Sequence, residues 1–282
     1  MKKVTKVLAV TGGICAGVGV IFLGAGIAIG GTADLADSIS VRAADFRKVT
    51  EWLGSDEDEY WYDDINNLDP KQWQCVTAAG VKDLEIDMSA GYLEISPYDG
   101  KGIKVYTRHN DNRTEIDWEG EELDISSDLS SGFWKKGKAV KILVPKSQIF
   151  DSVTVYMSAG EAVIDSFKTE EIYVSADAAS VTISGEVQAK TSEWSASAGS
   201  IEVNRLQSRD TDLDCSAGEI QMQMSGSEED YLLYADISAG NLEYGGQEWS
   251  SLDQSFELGP DDAENNIDAE CSAGNIIINF VK

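Results

Sequence analysis

One tripeptide sets the limits on what this chain can fold into. Ser-Ala-Gly stands at residues 89–91, 158–160, 197–199, 216–218, 238–240 and 272–274, and Asp177-Ala178-Ala179 falls where another copy is due. The third residues are Gly91, Gly160, Ala179, Gly199, Gly218, Gly240 and Gly274, separated by 69, 19, 20, 19, 22 and 34 residues. Four consecutive steps of 19–22 residues are the spacing of a solenoid. In such a fold one turn cannot bury its own apolar face and is stabilised by stacking on the next.

The flanks of the tripeptide carry the same period. Five residues before the third position stand Ile86, Val155, Val174, Trp194, Leu213, Ala235 and Ala269; three before it stand Met88, Met157, Ala176, Ala196, Cys215, Ile237 and Cys271. Two residues after it are Leu93, Ala162, Val181, Ile201, Ile220, Leu242 and Ile276, and four after it Ile95, Ile164, Ile183, Val203, Met222, Tyr244 and Ile278. Apolar residues alternating with polar ones are the mark of strands with one buried face. The pattern predicts strand, corner, strand, with the seven corner residues stacked at ~4.8 Å per coil over one core. At the corner, Gly supplies positive φ, the Ala before it points inward where little room exists, and the Ser before that faces out.

The 69-residue step holds three further strand patterns, 102–108, 121–126 and 139–144, which predict a β-meander inserted over about 97–150. The 34-residue step predicts a second insertion over 245–266. The fold expected is therefore all-β: a single-stranded β-solenoid or β-helix-like repeat domain over 81–282, preceded by one N-terminal transmembrane helix.

That helix is read from Val7 to Ile29, 23 residues without a charge. At ~1.5 Å per residue this spans the roughly 30 Å hydrocarbon core. Lys2, Lys3 and Lys6 precede it and every Asp and Glu follows it, which places the N-terminus in the cytoplasm and the repeats outside. Residues 1–31 are thus an anchor held in the cell membrane by a single pass, and the alternative is a cleaved signal peptide ending near Gly30. Gly13 with Gly17, and Gly26 with Gly30, have the GxxxG spacing through which membrane helices form homo-oligomers. Residues 32–80 form an acidic juxtamembrane stalk, helical in part over 34–53.

Two stretches carry a family resemblance beyond the repeats. They are Leu84 to Ile95 (LEIDMSAGYLEI), and Val140 to Pro145 followed by Val153 to Gly160. With the lysine-led apolar N-terminus, they resemble the bacterial adhesin-like β-strand-repeat family known as the domain of unknown function 4097, over about residues 80–282. The resemblance implies a surface β-solenoid with a role in adhesion or envelope sensing, and it supplies no active-site motif.

Charge and chemistry narrow the function. The formal net charge is −28, and without the three leading lysines 19 basic residues face 50 acidic ones, a net of −31. Such a field repels nucleic acid. His109 is the only histidine, and Cys15, Cys75, Cys215 and Cys271 form no CxxC pair, so neither a structural zinc site nor a Ser/His/Asp set is predicted. No cofactor motif is present and the chain is read as a non-enzyme. A glycan-degrading β-helix would need carboxylates set across a bond, and the Lys135, Lys136, Lys138 and Lys141 cluster beside Trp134 is where an acidic glycan would be held. In the order of the copies, Asp214 and Asp236 are outward neighbours and form the candidate calcium site. Cys215 and Cys271 fall two coils apart, ~9–10 Å, beyond disulfide reach. The function expected is binding or scaffolding at the bacterial cell envelope, with an envelope protein or glycan as partner. The alternative is an extracellular sensor or regulatory module of an envelope-stress system.

Overall fold

The structure, a computed structural model, describes residues 65, 68–109, 111, 113–127, 139–250 and 253–282. The chain divides into two units, residues 1–55 and 56–282, and every described residue lies in the second. The expected membrane helix, most of the stalk, Trp134 and Lys135, Lys136 and Lys138 lie outside the described residues. Among those described, no helix is long and apolar enough to cross a membrane.

Regular structure here is almost entirely strand. In chain order the first strands are β1 (Trp73–Ala78), β2 (Asp83–Met88), β3 (Gly91–Tyr98), β4 (Ile103–Arg108), β5 (Thr114–Glu119), β6 (Glu122–Ser127) and β7 (Ala139–Pro145). Two long strands follow, β8 (Ile149–Ile164) and β9 (Phe167–Gln188), each running unbroken round a corner. Then come β10 (Thr191–Ala196), β11 (Ser200–Gln207), β12 (Asp210–Cys215), β13 (Glu219–Ser225), β14 (Tyr231–Ile237) and β15 (Asn241–Tyr244). The last are β16 (Gln247–Ser250), β17 (Gln254–Leu258), β18 (Asn265–Cys271) and β19 (Asn275–Val281).

Each coil is one strand before the tripeptide and one after it, and like strands pair in parallel and in register. The first ladder runs β5, β6, β2, the first half of β8, the first half of β9, β10, β12, β18, β14, β17. The second runs β1, β4, β7, β3, the second halves of β8 and β9, β11, β13, β19, β15, β16. Inward side chains of both ladders join one hydrophobic cluster. Its members are the residues in the apolar columns, from Ile86 and Val155 to Trp194 and Ile278, each almost wholly removed from water. Burying one such side chain is worth ~1.5–3 kcal/mol. A further inward column, seven residues before the corner, includes Ser192 and Thr211, and the two buried hydroxyls satisfy each other at 3.1 Å.

The coils do not stack in chain order. Strands β18 and β19 sit between β12/β13 and β14/β15, so the copy at Gly274 lies inside the copy at Gly240. The other end follows the same path in reverse. There β6 and β7 pair in parallel with β2 and β3, and β8 returns to the opposite side of β2 and β3. The segment expected to be a free meander therefore supplies an eighth coil, β6/β7, whose inward residues Leu123, Ile125, Val140 and Ile142 extend the existing columns. The sequence between its two strands, 128–138, lacks the tripeptide, which hid it. Antiparallel strands close both ends, β4 and β5 on β7 and β6, β16 and β17 on β15 and β14.

The corner differs from expectation in two ways. At the later corners the alanines do not point inward: Ala217, Ala239 and Ala273 are exposed, and the third residue is the inward one, with Ala179, Gly199, Gly240 and Gly274 buried, whereas Gly160 is exposed. Ser and Ala both face out, so the alternation changes phase by one residue and the chain bends. Nor is positive φ the general reason for glycine. It holds at Gly91 (133°) and Gly160 (102°), while Gly199, Gly218, Gly240 and Gly274 have ordinary backbone. At those four the cause is close approach. Backbone bonds continue through the corner, as in Ser216 N–H to Ala196 O (3.0 Å), Ala217 N–H to Ser197 O (2.8 Å) and Glu219 N–H to Gly199 O (3.0 Å). A Cβ on Gly218 would run into the Gly199 carbonyl, and one on Gly274 into the carbonyl of Gly218 and the Cys215 sulfur. Gly218→Ala is therefore expected to lower stability by roughly 1–3 kcal/mol, and Ala217→Ser, one residue away, by less than about 0.5 kcal/mol. Urea unfolding of the two variants reads the difference, and equal midpoints would contradict the inward placement of the glycine.

Candidate binding face

Outward residues of the first ladder line up in rows because the register is strict. Six residues before the corner, the row reads Asp117, Asp124, Glu85, Thr154, Tyr173, Glu193, Asp212, Asp268, Tyr234, Glu257. Four before it, the row reads Glu115, Ser126, Asp87, Tyr156, Ser175, Ser195, Asp214, Glu270, Asp236, Ser255. Neither row contains a Lys or Arg. Carboxylates form two blocks, and between them Tyr156 and Tyr173 lie ring against ring, centroids 5.2 Å apart and tilted by 49°. Tyr156 is 39% exposed and Tyr234 is 41% exposed, large side chains left to water on a face otherwise made of carboxylates and hydroxyls.

Stacked like charges perturb this face. Partial burial, then Asp124, Glu122 and Asp87, raises Glu85 above the ordinary glutamate range. Burial with Asp117 and Glu115 raises Asp124, and burial with Asp268 and Asp210 raises Asp212. Asp210 moves the other way, held down by a hydrogen bond from Asn266 and by Arg209. Burial first, then nearby carboxylates, raises Tyr156.

Asp214 and Asp236 are not neighbours. Glu270 stands between them, opposite Asp214 on one side and Asp236 on the other, because β18 enters the stack there. Asp236 accepts a hydrogen bond from Ser255 Oγ at 3.0 Å. Among the described residues, no three His, Cys, Asp or Glu side chains converge as metal ligands. Cys215 and Cys271 are also closer than expected, directly opposite each other on β12 and β18. The seven corner residues Gly91, Gly160, Ala179, Gly199, Gly218, Gly274 and Gly240 follow one another, in that spatial order, along a single edge of the stack.

The second ladder has a different outer face. At its β1 end Ile65 packs with Trp73, Tyr92 and Ala139 in a separate cluster. Beside this patch Lys141 pairs with Glu94 at 2.8 Å, the two side chains only 11% and 15% exposed, and Lys141 Nζ lies 3.4 Å from Ile65 O. Lys141 is thereby committed to a buried ion pair rather than to the lysine cluster read from sequence. Two open hollows of about 300 and 310 Å³ are lined by Ser225, Glu229, Asp230, Asp262 and Glu264, and by Pro97, Pro145, Lys146, Phe167 and Lys168. His109 sits elsewhere, its Nε2 2.9 Å from Pro70 O.

The chain belongs to the Toastrack DUF4097 family, whose profile matches residues 81–282. No curated protein was found to match it. Solved structures similar to it include a candidate cell adhesion protein from Clostridium sporogenes (17% identity, TM-score 0.46, covering 74% of this chain and 99% of that one). Two others are candidate adhesins. One, from Bacteroides fragilis, shows 12% identity, TM-score 0.38 and 76% and 99% coverage. The other, from Parabacteroides merdae, shows 12% identity, TM-score 0.42 and 74% and 95% coverage.

The raised carboxyl groups fix the sign of the pH response. The folded state binds protons more tightly than the unfolded chain at Glu85, Asp124 and Asp212, so stability rises as pH falls from neutrality towards the ordinary carboxylate range. A melting temperature higher at pH ~5 than at pH 7, with the gap narrowed by Asp124→Asn and Asp212→Asn, is the expected result of calorimetry. A second expectation concerns the buried pair: Glu94→Ala strands the Lys141 charge and is expected to cost roughly 3 kcal/mol, more than Lys141→Met with Glu94→Leu together, measured by denaturant unfolding.

Proposed function

We propose that this protein is an adhesin-like, non-enzymatic binding module tethered to the outer side of a bacterial cell membrane. The observation that carries the proposal is the outer face of the first ladder. There two carboxylate blocks flank a tyrosine pair, exposed Tyr156 and half-buried Tyr173, on a hydrogen-bonded surface. A face of this kind is suited to a partner with cationic groups spaced around an apolar centre: the carboxylates steer the approach, and the aromatic rings contribute contact area at small entropic cost. The reading of Val7–Ile29 as the tether rests on its length, its lack of charge and the lysines before it.

Non-enzymatic action is supported by the dispersal of chemistry. Carboxylates are spread along rows, and the groups that catalysis would join stand apart. The partner proposed is a basic envelope protein, in preference to an acidic wall glycan that the net charge would repel.

The test is capture by the full-length protein in detergent, from the membrane fraction and in parallel on immobilised wall glycan. Capture of a basic protein is expected, weakening as salt rises and falling about tenfold or more on Tyr156→Ala with Tyr173→Ala. Binding to glycan alone, or capture indifferent to both salt and the tyrosines, would overturn the proposal.

A further inference from the structure

Cys215 and Cys271 occupy the inward column three residues before the corner, on adjacent parallel strands, in register. Both are inside the core, at 0% and 2% exposure. In-register neighbours on parallel strands are ~4.8 Å apart at Cα, within the 4.4–6.8 Å over which a disulfide closes. Cys215 Sγ occupies the place a Cβ on Gly274 would take, and Cys271 Sγ the place of one on Gly240, so both sulfurs sit against glycine backbone rather than against a bulky side chain. Cys271 Sγ–H donates to Gly274 O at 3.2 Å and Cys215 Sγ–H makes a long contact, 3.6 Å, with Asn275 O. Cys75 is exposed on β1, beyond β4 and β7 at the opposite end of the stack.

We propose that Cys215 and Cys271 are a covalent cross-linking site, a disulfide that pins the inserted coil β18/β19 to β12/β13. The oxidant is a small-molecule or protein disulfide. One cysteine thiolate attacks a sulfur of that disulfide, forming a mixed disulfide and releasing the first thiol. The second cysteine then attacks the cysteine sulfur of the mixed disulfide and releases the other thiol. One protein S–S bond replaces two S–H bonds, and two electrons and two protons pass to the oxidant, which leaves as two thiols. The reaction belongs to folding rather than to the folded state. Once β18 is seated, neither sulfur meets solvent, and the neighbouring Cys271 together with burial holds Cys215 as a thiol, pushed up from its ordinary range.

The test uses the full-length protein in detergent, refolded with oxidised glutathione, then blocked with iodoacetamide, digested and mapped by mass spectrometry. Cys215 and Cys271 are expected in one disulfide-linked peptide pair. Reduced protein held folded in the same buffer is expected to keep both as thiols. Melting should occur roughly 5–15 °C higher for the oxidised than for the reduced form, a difference absent from the Cys215→Ala/Cys271→Ala variant. Recovery of both residues alkylated after oxidative refolding, or linked to Cys15 or Cys75, would overturn the proposal. So would an oxidised form that melts no higher than the reduced one. Equal oxidation of the folded and refolding protein would overturn the assignment to folding.

Discussion

Backbone hydrogen bonding between coils in register is the constraint from which the rest follows. Within the stack, strand N–H and C=O groups find their partners one layer away, and the bonding runs on through the corner from Ser197, Ala198 and their equivalents. The layers therefore approach as closely at the bend as along the strands. At that separation a Cβ on the inward corner residue meets the carbonyl beneath it, and glycine recurs for that reason at Gly199, Gly218, Gly240 and Gly274. Of the seven tripeptide copies, that of Ala179 fills this position with a side chain, in the coil where β9 passes the corner as continuous strand.

A stack held this way must deal with its two ends, since the outermost layer would present unpaired backbone groups. Both ends use the same solution. The chain runs out past a neighbouring layer, turns through antiparallel strands that cover the end, and in one case returns inward while in the other it has already done so. The edges that remain are β5 and β17 in one ladder and β1 and β16 in the other, each of four to six residues. Short edges offer little template for joining another sheet.

Much of this was legible in the residues. Period-two alternation around a fixed tripeptide located the strands and named the core columns, because buried and exposed faces of a strand demand different chemistry. The order of the coils was not legible. Cys215, Ile237 and Cys271 are interchangeable occupants of one apolar column, and permuting the layers leaves each column as greasy as before. That is why Asp214 and Asp236 were read as adjacent and the two cysteines as distant. The coil β6/β7 is not marked by the repeat because the sequence between its strands lacks the tripeptide, although Leu123, Ile125, Val140 and Ile142 carry the same alternation. The orientation of the alanines was misjudged because two successive outward residues at a bend shift the alternation by one. Of the candidate face, Asp214 and Asp236 are legible as outward residues, but the pairing of Tyr156 with Tyr173 and the separation of the acids into blocks depend on which layers touch.

The displaced position of β18 and β19 bears on how the molecule is made. A ribosome delivers β14 and β15 before residues 265–281 exist, yet those residues form the layer that joins β14 and β15 to the rest. Until they emerge, the β14–β17 unit has no interior neighbour and hangs beside an unfinished stack whose exposed surface is β12 and β13. Synthesis thus cannot proceed as simple layer-by-layer growth at this end: a slot is left vacant, and filling it is the act that makes the assembly continuous.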